Sequence, residues 1–183
     1  MAGQDTILFE NSLTLSVKGN PAMPVAPQIV QAAAAFRFNS NMLDKSFDGL
    51  AQEEWSAHPG ECNCLFWVAG HVIWARSRVL AILGSPWSRP WLSYFERGSS
   101  AADVDNYPSP EEMTAAWQDV KVALTAALEG ASPEALTGPG PEKVPSFDGM
   151  LAGTIAFMAW HEGYHVGQAA YMRKWLGKGQ IAG

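Results

Sequence analysis

The chain has 183 residues, 48% of them hydrophobic and 16% charged, a composition that builds a single folded core rather than a disordered chain. Eighteen acidic residues against 12 basic ones leave a net charge of −6, so no Lys/Arg-rich surface is expected to neutralise nucleic-acid phosphates or an anionic membrane. The opening residues lack a basic stretch followed by a long apolar one, no apolar run approaches the length of a membrane span, and two cysteines, Cys62 and Cys64, cannot build a disulfide framework. Together these features predict a cytoplasmic protein.

Residues 1–24 read as an N-terminal extension. Leu13, Leu15 and Val17 alternate with polar residues, and Pro21 and Pro24 then break the chain. A folded domain is expected over residues 25–178. Its first helix is expected over 26–50, where Ile29, Ala33, Phe36, Leu43, Phe47 and Leu50 recur at helical spacing. The second runs over 63–84, with Asn63 as N-cap and Gly84 before Ser-Pro as its stop. Residues 85–108 then show no sustained period, yet hold Trp87, Trp91, Tyr94 and Phe95. So long a connection, with that many aromatics, is expected to pack on the helices as a crossover.

The third helix has the clearest start. Ser109-Pro110-Glu111-Glu112 places Ser at the N-cap, Pro at the first helical position and Glu at the third, a capping box. Its apolar stripe is Met113, Trp117, Val120, Leu124 and Ala127, and Gly130 closes it. Gly138-Pro139-Gly140-Pro141 breaks the following stretch. The fourth helix is expected from about 149 to 176, with Asp148 as its cap and Gly177 as its stop. Four helices without a sustained strand predict an all-α fold. The expected architecture is a four-helix bundle with a long crossover between its second and third helices.

Only four histidines occur: His58, His71, His161 and His165. His161 and His165 are four apart on the fourth helix, so their rings project from one face a turn apart. They lie on the stripe Leu151, Thr154, Met158, His161, His165, Gln168, Met172, which should face the interior. Buried imidazoles need polar partners, and a metal ion is one such partner. His71 lies mid-helix in the second helix, among Trp67, Val68, Trp74 and Ala75. Three imidazoles from two facing helices would form a tripod with positions left open for water or substrate. His58, in Trp-Ser-Ala-His-Pro-Gly, reads as a loop residue.

His161-Glu162-Gly163-Tyr164-His165 formally matches the H-E-x-x-H of zinc metallopeptidases. Its context does not. Residues 166–183 contain no His, Glu or Asp that could supply a third ligand, and no sheet edge is evident to hold a peptide. Glu162 also falls off the ligand stripe and reads as a solvated carboxylate.

A different resemblance covers most of residues 26–177. The mid-helix His in Gly70-His71-Val72-Ile73-Trp74, the Tyr-Pro-Ser-Pro-Glu-Glu start of the third helix and the final His-x-x-x-His-x-x-Gln follow one another as in the DinB/YfiT-like superfamily. The resemblance implies a four-helix bundle with a crossover, often a homodimer, holding zinc or nickel on three histidines. The matching positions are His71, His161 and His165. Some relatives transfer low-molecular-weight thiols or isomerise with a thiol cofactor. Trp74, Arg78, Glu162, Tyr164 and Gln168 stand close to the three in sequence or helical register, as candidate lining or supporting residues. Arg78 is the candidate for an anionic-substrate contact, against the alternative of an arginine that snorkels at the bundle end, and Gln168 for orienting a ligand or a bound water, against that of helix packing with a satisfied amide.

The expected function is that of a metal-dependent enzyme acting on a small-molecule substrate, by thiol transfer or hydrolysis. The alternatives are a small-molecule-binding module without catalysis and a dimer in which metal only staples helices.

Overall fold

The structure, a computed structural model, describes residues 24–99 and 107–181. The alternating Leu13, Leu15 and Val17 lie outside the described residues. Among those described, every regular element is helical. A 3-10 turn over Pro27–Ile29 leads into α1 (Val30–Phe47); α2 is short (Gln52–Ser56), and α3 spans Leu65–Ile82. A second 3-10 turn covers Leu92–Phe95, followed by α4 (Pro110–Glu129), the short α5 (Pro133–Leu136) and α6 (Leu151–Trp175).

The boundaries show where local signals decide and where they do not. At α4 the capping box forms as spelled. The Glu112 N–H donates to Ser109 Oγ at 3.2 Å, and the Ser109 N–H donates to Glu112 Oε2 at 2.8 Å. The first expected helix instead ends early, at Phe47. Gly49 adopts φ +66°, which ends α1, so Leu50 falls in a linker and α2 starts separately. The second helix begins with Cys64, not Asn63, at the N-cap. Asp148 does not cap α6 either. Its Oδ1 accepts the Met150 N–H at 2.8 Å, closing the turn before the helix.

Four long helices surround one core in which Leu43, Leu65, Ile73, Trp117, Leu124 and Ile155 are almost wholly buried. Each apolar side chain of that size contributes about 1.5–3 kcal/mol by leaving water. Helix α3 is buried on nearly every side, between α4, α6, α2 and the Leu92–Phe95 turn. By length and composition alone it could cross a membrane, but 78% of it is buried inside the protein.

Asp44 ties α1 to α4, accepting from Trp117 Nε1 at 2.7 Å and Lys121 Nζ at 2.7 Å. Helix α6 lies along α1, where Asn39 Nδ2 donates to the Ala159 carbonyl at 3.1 Å and Arg173 reaches the Ser46 carbonyl at 3.3 Å. The long connection from Leu83 to Ser109 returns to α3 through Phe95, which is fully buried. Residues 100–106 of that connection lie outside the described residues.

The four long helices meet at one guanidinium. Arg76, on α3, gives Nε and Nη2 to the two carboxylate oxygens of Glu162 on α6, at 2.7 Å each. Nη2 also reaches Ser40 Oγ at 2.8 Å and the Phe36 carbonyl at 3.2 Å on α1. The group lies 4.3 Å over the Trp117 ring of α4. A charge pair this deeply buried is tolerated because both carboxylate oxygens accept from the guanidinium and its Nη2 also meets acceptors on α1.

Candidate metal centre

Helix α6 buries two adjacent stripes, not one. Thr154, Met158, His165 and Met172 form the first, and Ile155, Ala159, Glu162, Val166 and Ala169 form the second. Two are needed because α6 packs on both α3 and α1. Glu162 is therefore buried, contrary to the solvated role expected of it. Its neighbour His161 stands at the margin of the first stripe, half-buried.

The first stripe meets α3 at His71. One ring nitrogen each from His71, His161 and His165 lie within 4.8 Å of one another. No other His, Cys, Asp or Glu among the described residues joins this group. The ring centroids of His71 stand 5.4 Å from His161 and 4.7 Å from His165.

The outer nitrogens determine which atoms are free. His71 Nδ1 lies 2.7 Å from the Phe95 carbonyl oxygen, and His165 Nδ1 lies 2.8 Å from Gln168 Oε1. Both oxygens can only accept, so both Nδ1 atoms carry the proton and both Nε2 atoms present bare lone pairs. His165 Nε2 faces His161 Nε2 at 3.2 Å. Among the described residues, the buried His161 Nδ1 has no hydrogen-bond partner. If His161 Nε2 donates to His165, then Nδ1 is a stranded acceptor; if Nδ1 holds the proton, two lone pairs face each other. A cation between the rings removes the second conflict. Three neutral imidazoles with converging Nε2 atoms are a donor set that suits zinc or nickel.

Burial keeps these rings neutral. It pushes His71 down to about 4, with a smaller contribution from the neighbouring His161. His165 is also pushed to about 4, mainly by burial and then by His71. His161 is lowered by burial and by the nearby Arg97 guanidinium. No proton then has to be displaced at neutral pH for the nitrogens to ligate.

Aromatic rings and one glycine hold His71 in place. Its imidazole is stacked between Trp67, at 4.7 Å and 9° between planes, and Trp74, at 5.3 Å and 25°. The Phe95 carbonyl reaches His71 because the preceding residue is glycine. A Cβ on Gly70 would lie 2.3 Å from the Phe95 ring. Trp91 packs edge-on against Phe95. Trp87 instead lies under Arg89, whose guanidinium pairs with Asp119 of α4.

The remaining candidates separate clearly. Gln168 accepts from His165 and donates from Nε2 to Tyr164 OH at 3.2 Å, forming a chain from an exposed phenol to a buried ring. Arg78 is exposed, about 10 Å further along α3 than His71. The buried arginine is Arg76, which the spacing argument passed over. Glu162 has both oxygens on Arg76 and is not available as a general base, which removes the peptidase reading of H-E-x-x-H. Cys62 is exposed, beside Tyr164 and Gln168, in a cleft of about 320 Å³. Cys64 is buried, and burial raises its thiol above the ordinary value. His58 is exposed, with Nδ1 2.7 Å from the Gly60 carbonyl.

A family model described as the DinB superfamily matches residues 35–169. A search of curated proteins found no match to the chain. The family match spans well over half of the sequence and includes all three histidines, so the chain belongs to the DinB superfamily.

Proposed function

We propose that this DinB-superfamily chain holds a divalent ion, zinc or nickel, on the Nε2 atoms of His71, His161 and His165, and acts as an enzyme on a small molecule. The observation that carries this is the convergence of three ring nitrogens within 4.8 Å, two of them with their outer N–H already committed to an acceptor. A bound ion supplies Lewis acidity and lowers the pKa of a water or thiol beside it. The protein's own part is to keep three imidazoles neutral, fix two tautomers and wall the site with Trp67 and Trp74.

Two reaction classes fit: transfer of a low-molecular-weight thiol, and hydrolysis of a small substrate. Three protein donors leave further positions on a tetrahedral or larger ion for either. A purely structural staple would favour a fourth protein ligand, and none stands with the three among the described residues.

The test is elemental analysis of protein purified without an affinity tag. About one ion per chain is expected, with loss in His71→Ala and in His161→Ala. Full metal content in both variants would sink the tripod.

We also propose that the chain forms a homodimer through the outer face of α6. Trp160, Tyr171 and Trp175 are all exposed there along one stripe, with Phe147 nearby against Trp160. Light scattering should give twice the chain mass, and Trp160→Glu with Tyr171→Glu should return it to one.

A further inference from the structure

The outer face of α6 lacks the polar residues that a surface helix normally turns to water. Its exposed positions are Trp160, Tyr164, Gly167, Tyr171, Lys174 and Trp175, so aromatics dominate the face and Lys174 is its one charge. Apart from Lys174, these residues follow one another in steps of three and four, which keeps them on a single stripe. Gly167 stands at the middle of it. A glycine inside a helix weakens that helix, and nothing among the described residues lies within 4 Å of where its Cβ would be. No neighbour in the described chain therefore requires the glycine. A second backbone arriving from outside does gain by it, because no side chain holds that backbone away.

The stripe also reads nearly alike in both directions from Gly167. Tyr164 stands three residues before it and Tyr171 four after; Trp160 stands seven before and Trp175 eight after. A two-fold axis crossing the helix here lays aromatic on aromatic, the self-complementary pattern of an isologous dimer. Resting on the homodimer proposed above, we infer that two copies pair α6 against α6 in antiparallel fashion with the axis at Gly167. Trp160 of each copy then meets Trp175 of the other, and Tyr164 meets Tyr171. With Phe147, which packs on Trp160, the exposed parts of these rings amount to about 1,000 Å² over two copies, the size at which a specific interface begins. The seam runs over Tyr164, whose OH accepts from Gln168 Nε2 at 3.2 Å, while Gln168 Oε1 holds His165 Nδ1 at 2.8 Å. Each copy's support for His165 thus borders the other copy.

The test is cross-linking of the full chain by a short bismaleimide, with Cys62→Ser and Cys64→Ser as background and light scattering of the wild type measured first. Tyr164→Cys and Tyr171→Cys are prepared separately, then mixed and left to exchange before the reagent is added. Covalent dimer should form mainly in the mixture, because an antiparallel axis brings position 164 to position 171 and neither to itself. A parallel pair would instead cross-link each variant alone. Gly167→Leu should weaken dimerisation on the order of tenfold or more while keeping the helical circular dichroism of the wild type, since the added side chain meets nothing within its own chain. Cross-links no stronger in the mixture than in the separate variants, or a Gly167→Leu protein that dimerises as tightly as the wild type, overturns the axis at Gly167 and leaves the homodimer standing. A wild type of one chain mass at micromolar concentration overturns the homodimer, and this inference with it.

Discussion

Glu162 follows His161 in sequence but gives both carboxylate oxygens to Arg76, at 2.7 Å each, with both side chains 1% exposed. The pair fixes the rotation of α6 against α3, and that rotation carries His161 and His165 to His71. Removing one partner strands a charge among Phe36, Trp117 and the α1 backbone. Glu162→Ala should therefore lower stability by about 3–5 kcal/mol, whereas the apolar pair Arg76→Met with Glu162→Leu should recover much of it. Urea unfolding of the wild type and the two variants checks this. A Glu162→Ala protein as stable as the wild type would refute the clamp.

The fold was legible wherever a local signal agreed with its surroundings. Ser109 to Glu112 spelled out a cap that forms, and the 3–4 spacing of His161 and His165 placed both rings beside His71. What stayed hidden depended on the neighbours. A single stripe was read on α6, but a helix packed on two others buries two, and only the second contains Glu162. Periodicity likewise could not choose between Arg76 and Arg78, since α3 is buried nearly all round. The hold of Phe95 on His71 joins residues 24 apart. Its one trace in the sequence is Gly70, a glycine inside an apolar helix.

That glycine makes the next prediction. A Cβ at position 70 would lie 2.3 Å from the buried Phe95 ring, so Gly70→Ala must displace the ring and the carbonyl that orients His71. Overpacking of this kind costs about 1–3 kcal/mol. Metal affinity should fall as well. Gly70→Ala with Phe95→Leu should regain stability by making room. A single variant with wild-type stability and metal affinity would mean that the Phe95 seat is not needed.

Gln168 acts on the metal only through His165. Gln168→Leu leaves the His165 Nδ1–H without its acceptor and should weaken metal binding about 10–100-fold. Gln168→Glu keeps an acceptor oxygen and should bind at least as tightly as the wild type. Tyr164→Phe removes only the phenol at the end of the chain and should have a smaller effect. Competition with a coloured chelator measures all three. Equal affinity in Gln168→Leu and wild type would show that the hydrogen bond does not support the ligand.

The metal-free protein should lose stability in acid in a defined window. An unfolded histidine titrates near 6.5, but His71 and His165 are held at about 4 in the fold, chiefly by burial. Between those values the unfolded chain binds protons that the folded chain refuses, so stability falls as pH drops through 6.5 and levels off below 4. One ring shifted this far accounts for roughly 3 kcal/mol; the two rings interact, so their effects do not simply add. Urea midpoints of chelator-treated protein at pH 7 and pH 5 measure the loss. His71→Gln with His165→Gln should flatten the dependence, and an unchanged slope in that variant would assign it to other groups.

The cysteines provide the last prediction, because their spacing and their placement pull in different directions. Counting along the second helix puts Cys62 and Cys64 about 10 Å or more before His71. The fold nevertheless brings Cys62 to a cleft with Tyr164, Gln168 and Met172, on the outer side of His165. That is the side of Nδ1, which is committed to Gln168, while the ligating Nε2 points toward His161. Cys62 therefore neighbours the support of the centre without reaching the ion. Cys62→Ser with Cys64→Ser should keep full metal content, and His165→Ala should lose it. In the wild type a disulfide reagent should titrate exposed Cys62 quickly and buried Cys64 slowly. The fast thiol should react at the same rate with and without metal. Metal loss in the double serine variant, or protection of the fast thiol by added metal, would place sulfur on the ion and replace the three-histidine assignment.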